Sequence, residues 1–351
     1  MPLRPYSLPA LLTGGLVLLA LPRCQPALEP YQTERFELVA GPAAAEGYPM
    51  EIEEGRFPTS DGNSIPFGAE FLEGDWGLSH SVVVRSDGTA PAPDSLEVRW
   101  FSYTEDKFYQ GRWAMPQRRI HELLRQGYWN TDEQQHATYS NLTMCLLPQG
   151  VVVVWLCGRN QVLLGRYQAR EINFDFKRFN PAANRPRMIA QEQARLPAAV
   201  QAQIRSGTLS SRRWDDCLTT YRWRLALRPP LRLLDYGLSY VNAETDNYPR
   251  TAALALPRAT ALLATQRRPV PSNLLLRVEA GPRRHWQLQV KALDEAETRA
   301  AFQTLHAAHP VAPLTLGVET DASMRQARLV LQNDWQRVVL HKSTVVVYAV
   351  E

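Results

Sequence analysis

Several side chains in this sequence could do chemistry, but their spacing breaks each familiar pattern. Gly77-Leu78-Ser79-His80-Ser81 opens like a nucleophile elbow, yet the second glycine is missing and the run lies between short strands. It reads as an ordinary loop. His121-Glu122-Leu123-Leu124-Arg125 begins like a zinc-protease helix, but Arg125 stands where the second His is needed, and a guanidinium does not ligate zinc. His121 and Glu122 are then expected on the solvated face of a helix over 117–126. His306 and His309 lie three apart near a helix end closed by Pro310. Two ligands do not make a metal site, so the last helix carbonyls are their expected partners.

The carboxylates Glu51, Glu53, Glu54, Glu70, Glu73 and Asp75 cluster early, and Asp215-Asp216 follow later. Strand alternation puts Glu51 and Glu53 on one face, the start of a paired-carboxylate glycosidase site. Sequence offers no second carboxylate across a cleft, and a solvent-facing acidic strand edge is the default. Neither G-x-x-x-x-G-K-S/T nor G-x-G-x-x-G after a strand occurs. No catalytic residue, metal or cofactor is therefore assigned.

The elements that carry these residues belong to a folded chain of 351 residues, with 45% apolar and 21% charged side chains. At roughly 150 residues per domain the length suggests about two domains, with core enough to fold without disulfide or metal. Basic residues number 39 against 35 acidic, and all but Lys107, Lys177, Lys291 and Lys342 are Arg. The doublets Arg118-Arg119, Arg212-Arg213, Arg267-Arg268 and Arg283-Arg284 are scattered among acids. Nucleic-acid binding wants a concentrated stripe, so no nucleic acid is expected as a partner.

Residues 1–23 read as an export signal. Arg4 supplies charge, and the apolar run Leu8–Leu21 is 14 residues long. A span of the roughly 30 Å hydrocarbon core needs about 20. Cys24 follows directly, as in bacterial lipoprotein processing, where the thiol receives a diacylglycerol and the Cys becomes the new N-terminus. Arg23 stands where a small residue is usual. Ordinary signal cleavage and an uncleaved N-terminal anchor are the alternatives. Without Arg4 and Arg23 the mature chain has 37 basic and 35 acidic residues, a charge of +2. Residues 24–34 form a short tether. The remaining cysteines, Cys145, Cys157 and Cys217, are odd in number and expected as buried free thiols. Counting outward from a turn at Pro148-Gln149-Gly150 places Val152 opposite Cys145.

The expected fold is α+β, predominantly antiparallel sheet with a few packed helices. A β-rich domain spans 35–265, and a smaller α+β domain spans 270–351, with the boundary near 266–272. Strands are expected around Phe36–Val39, Tyr48–Glu53, Ser81–Arg85, Leu96–Phe101 and Lys107–Trp113. They continue at Ala137–Leu147, Gly150–Leu156, Gln168–Phe176, Tyr221–Leu227 and Leu233–Val241. Val151–Leu156 is apolar throughout, which predicts a central strand covered on both faces. Asp61-Gly62-Asn63 marks a turn. Pro116 opens a helix that Gly127 closes. Residues 187–206 form helix in two pieces broken at Pro197. In the C-terminal part, Leu274–Ala280, Trp286–Lys291, Leu314–Glu319 and Thr344–Val350 read as strands. A helix over 294–308 is capped by Asp294, with Glu297 three residues on. Residues 324–333 fit either helix or strand. Trp76, Trp100, Trp113, Trp129 and Trp155 are mostly core, with one or two free to anchor a partner.

An ordered set of these features carries a resemblance: Gly47-Tyr48-Pro49, Asp61-Gly62, Trp76-Gly77 and Leu96–Ser102. It continues through Lys107-Phe108-Tyr109, Met115-Pro116, Leu147–Gly150 and Val153–Gly158. Over roughly 35–245 the chain resembles the bacterial domain-of-unknown-function family 2931, a group of lipoproteins. The resemblance implies export and often lipidation, and brings no catalytic residue. Arg23 and residues 270–351 depart from it.

The resulting expectation is a lipid-anchored envelope protein, in the inner or outer membrane and facing the periplasm or cell surface. It would act by binding a protein partner and not by catalysis, for instance as an immunity-type lipoprotein against a toxic effector. The alternative is an exported hydrolase of glycans or lipids with a carboxylate site. A third reading is an envelope structural protein.

Overall fold

Alternation of apolar and polar side chains with a period of two dictates most of the architecture. A computed structural model describes residues 28–79, 88–130, 133, 135–248, 261–281 and 284–350. The expected export signal 1–23, Cys24 and the expected strand at 81–85 lie outside them. The protein is mostly β, in one large antiparallel and one large mixed sheet beside two small antiparallel strand pairs, with few helices.

The antiparallel sheet runs Arg170–Ile172, Lys107–Ala114, Ser95–Ser102, Met50–Pro58 and Ser64–Phe67, with Phe71–Leu72 beside Met50–Pro58. Met50, Ile52 and Phe57 point inward; a bulge after Ile52 shifts the phase between them.

The second sheet has 13 strands. Its order begins Gln266–Pro269, Thr220–Arg228, Leu314–Thr320, Ala327–Gln332, Arg337–Val350, His285–Ala292, Pro271–Glu279 and Arg232–Tyr240. It continues Thr245–Tyr248, Gln161–Gln168, Val151–Cys157, Asn141–Leu147 and Val39–Ala44. Two pairs are parallel, Asn141–Leu147 with Val39–Ala44 and Thr220–Arg228 with Leu314–Thr320. Every residue of Val151–Cys157 is buried, as its unbroken apolar run predicts.

The turn at Pro148–Gly150 takes three residues and places Leu147 opposite Val151. Cys145 therefore faces Val153, one residue on from the expected Val152, and the cysteines stay unpaired. Gly150 is required here: φ is +73°, and a Cβ would lie 2.7 Å from the Tyr109 ring.

Other expectations need correction. Of Gln168–Phe176 only Gln168, which ends the preceding strand, and Arg170–Ile172 are strand, because Asp175 accepts from the Lys177 amide at 2.9 Å and starts a helix at Phe176. Residues 324–333 resolve as the strand Ala327–Gln332, paired on both sides. The strand Gln161–Gln168 and the helix Arg212–Cys217 were not anticipated. The helices Arg185–Arg195 and Ala198–Ser206 break at Pro197 as expected, and Asp294 caps Glu295–Ala308.

Buried apolar residues gather in two large clusters, one within 38–214 and one within 217–340. Residues 266–272 lie in strands that pair with Thr220–Arg228 and Arg232–Tyr240, so the second cluster includes the 220–241 segment. A smaller aromatic cluster forms around Phe101, Phe108 and Phe176. Among the described residues no helix is long and apolar enough to cross a membrane.

Candidate functional site

Residues 29–36 are seated on the Gln117–Gln126 helix. Residues Pro30–Thr33 make one helical turn, and the Glu29 amide donates to Gln32 Oε1 at 2.9 Å. Glu34 Oε2 lies 2.7 Å from His121 Nε2 and 3.7 Å from Arg125 Nε. Phe36 meets the His121 ring edge-on at 5.7 Å, and the Arg118 guanidinium lies 4.6 Å over the Tyr31 ring. A cleft of about 520 Å³ opens here, with Tyr31, Arg118, His121 and Arg125 in its walls.

His121 is thus buried and not on the solvated face expected for it. It follows Ile120 around the helix onto the side that also holds Leu124, and Glu34 supplies the polar partner this position needs. Glu122 is exposed as expected, and Arg125 is exposed as well. The outer side of the helix carries Arg118, Arg119 and Arg125 against Glu122.

The carboxylates are engaged by cations and hydroxyls. Glu51 accepts from the Tyr103 hydroxyl. Glu53 and Glu54 share Arg99, at 2.7 and 3.1 Å. Asp215 takes Arg166 through both nitrogens, at 2.5 and 3.1 Å, and Asp216 lies 3.7 Å from Arg299. Burial, with Glu51 beside it, pushes the Tyr103 phenol up, so it stays a neutral donor. Glu73 is exposed, and Glu70 and Asp75 also have partners.

The nucleophile candidates are enclosed. Burial pushes the thiols of Cys145, Cys157 and Cys217 up to about 12, 11 and 11. Ser79 donates to the Pro42 carbonyl at 3.3 Å, while His80 and Ser81 lie outside the described residues. Gly77 lets the chain pass close to another loop: a Cβ there would sit 2.2 Å from Ala243 Cβ.

His306 and His309 point at different rings. His306 meets Tyr221 edge-on at 5.3 Å, and His309 stacks on Trp335 at 4.3 Å. The His309 imidazole therefore takes an aromatic partner in place of the helix carbonyls expected for it. Among the described residues no group of three His, Cys, Asp or Glu could hold a metal. Trp100 and Trp155 are core, while Trp76, Trp113 and Trp129 are half-buried. The most exposed Trp is Trp335, which sequence reading did not single out; its turn position beside Asn333-Asp334 was the available signal.

A family model described as a protein of unknown function, DUF2931, matches residues 25–210. No curated protein and no solved structure matches the chain.

Proposed function

The chain belongs to this DUF2931 family of proteins of unknown function, and from that premise we propose an exported envelope protein, lipid-anchored through Cys24, that acts by binding. The observation that carries the reading is the seating of residues 29–34 on the Gln117–Gln126 helix. Leu28 lies four chain steps beyond Cys24, a reach of at most about 14 Å. An acyl group on Cys24 would keep the body close to the bilayer, with Arg118, Arg119 and Arg125 near its headgroups.

Binding is favoured over catalysis because the chemistry-bearing groups have structural work. Glu51, Glu53, Glu54, Asp215 and Asp216 are held by Arg or Tyr, and the body thiols are buried. The partner we propose is a protein.

Metabolic labelling with a fatty-acid analogue tests the anchor. Label on the wild-type protein and none on Cys24→Ala is expected. An unlabelled wild-type protein, recovered from the cells that export it, would remove the lipoprotein reading.

A further inference from the structure

The strand Thr220–Arg228 buries Tyr221, Trp223, Leu225 and Leu227 in the second core. Arg222, Arg224 and Arg228 therefore stand on its other face. Neighbouring strands extend that face in register: Arg222 opposes Arg267, and Arg224 shares a row with Thr315, Gln332 and Arg337. The row of Arg228 holds Glu319 and Arg328.

Glu319 is the one carboxylate in these five strands, and it is already committed. It lies 3.0 Å from Arg328, 2.7 Å from Arg337 and 4.0 Å from Arg228. Arg222, Arg224 and Arg267 are exposed and have no carboxylate partner among the described residues. Among the described residues, Arg224 and Arg267 reach only the hydroxyls of Thr315 and Thr220, each at 3.4 Å. Residues 249–260 of the sequence, which precede this edge, contain no Asp or Glu.

These arginines sit at the end of the sheet where Leu314–Thr320 begins and Ala327–Gln332 finishes. Loops 309–313 and 333–336 emerge at that same end, as the His309–Trp335 stack requires. They carry the two most exposed large apolar side chains among the described residues, Val311 at 84% and Trp335 at 63%. Asp334 is the one acid in those loops. From Arg267 to Arg337 the sheet crosses four strand spacings, about 19 Å.

Apolar loop tips beside exposed guanidinium groups that outnumber the acids of their strands match the layers of a bilayer surface. Indole and aliphatic groups favour the headgroup region, and Arg favours the phosphates. A lipid surface offers anions at every lateral position, which suits a broad array with no fixed register. We propose that this end of the sheet docks on an anionic phospholipid surface, with Trp335 and Val311 at the headgroups and Arg222, Arg224 and Arg267 on lipid phosphates. The inference goes beyond the anchor and does not depend on Cys24.

The test uses the full chain with Cys24→Ser in every sample, so that acylation plays no part. Co-sedimentation is compared on phosphatidylcholine vesicles with and without phosphatidylglycerol, at low and high salt. The expected result is a phosphatidylglycerol-dependent, salt-sensitive component of binding. Each Arg is worth about fivefold near an anionic surface, so R222Q/R224Q/R267Q weakens this component by about a hundredfold. The Lys triple variant retains it, and V311S/W335A weakens binding while circular dichroism stays unchanged. Equal binding to both vesicle types overturns the proposal. So does a folded Gln triple variant that binds like the parent, or loss of the component in R118Q/R119Q/R125Q alone.

Discussion

Trp76 and Trp155 meet edge-to-face with ring centroids 4.8 Å apart, and their indole N–H groups donate to consecutive carbonyls. Trp76 Nε1 reaches Val241 O at 2.9 Å, and Trp155 Nε1 reaches Asn242 O at 3.0 Å. Those carbonyls belong to the turn between Arg232–Tyr240 and Thr245–Tyr248. Trp155 is in the first core cluster, Val241 is in the second, and Trp76 packs against both. The pair is an apolar joint between the two cores, and Gly77 beside it permits the close approach to Ala243.

Trp155→Phe should therefore cost more than its lost volume. Asn242 is 1% exposed, so its carbonyl would lose its partner inside the protein. The expected loss is about 2–4 kcal/mol. Trp76→Phe, at a half-buried site, should cost about 1 kcal/mol. Because both bonds hold one turn, the double variant should lose less than the sum. Urea unfolding followed by circular dichroism measures all three; strict additivity would remove the idea of a shared joint.

The body thiols give a second prediction. With burial raising Cys145 to about 12, and Cys157 and Cys217 to about 11, almost no thiolate exists at pH 8. Native protein treated with iodoacetamide at pH 8 should leave these three unmodified by mass spectrometry, and urea should open all three. Rapid modification of Cys145 in the native state would contradict its enclosure.

How much of this was legible depends on whether each partner was local. Asp294 could be read as a cap because its acceptor role involves Glu297, three residues on. Val151–Cys157 could be read because an unbroken apolar run needs cover on both faces. Gln161–Gln168 was missed because the register shift near Leu164 breaks its alternation, and its pairing comes from distant strands. His121 was misplaced because the Glu34 that satisfies it lies 87 residues away. The same holds for the site: Arg99 beside Glu53 and Glu54, and Arg267 opposite Arg222, exist only through strand pairing.

Asp61 predicts an acid-side loss of stability. Burial pushes its carboxyl upward, but bonds from Thr59, Asn63 and Arg35 outweigh this and hold it well below the usual 3.8. Its folded form thus stays ionised where the unfolded chain protonates. The stabilisation is complete above about pH 4 and is lost as pH falls toward the low folded value. With Arg35 partly exposed, we expect about 1 kcal/mol at neutral pH. Asp61→Ala should lower stability at pH 7 by about that amount and flatten the decline below pH 4. Parallel curves for variant and wild type across that range would count against it.

Glu297 supplies the last prediction, because it works on two elements at once. Its backbone amide donates to the Asp294 cap at 2.7 Å, at the start of the Glu295–Ala308 helix. Its carboxylate accepts the amides of His341 and Lys342 at 2.9 and 3.0 Å. Those amides fall where the Arg337–Val350 strand leaves one partner at Leu340 and resumes pairing at Thr344. The side chain thus replaces the strand partner missing between them. Glu297→Ala would leave both N–H groups to water and cost about 1–2 kcal/mol, and Glu297→Gln about half that. Asp294→Ala should also cost about 1 kcal/mol, but through the helix end alone. Hydrogen exchange separates the two: the amides of His341 and Lys342 should exchange faster in Glu297→Ala and stay near wild type in Asp294→Ala. Equal acceleration in both would mean that docking of the whole helix, and not this carboxylate, protects the strand.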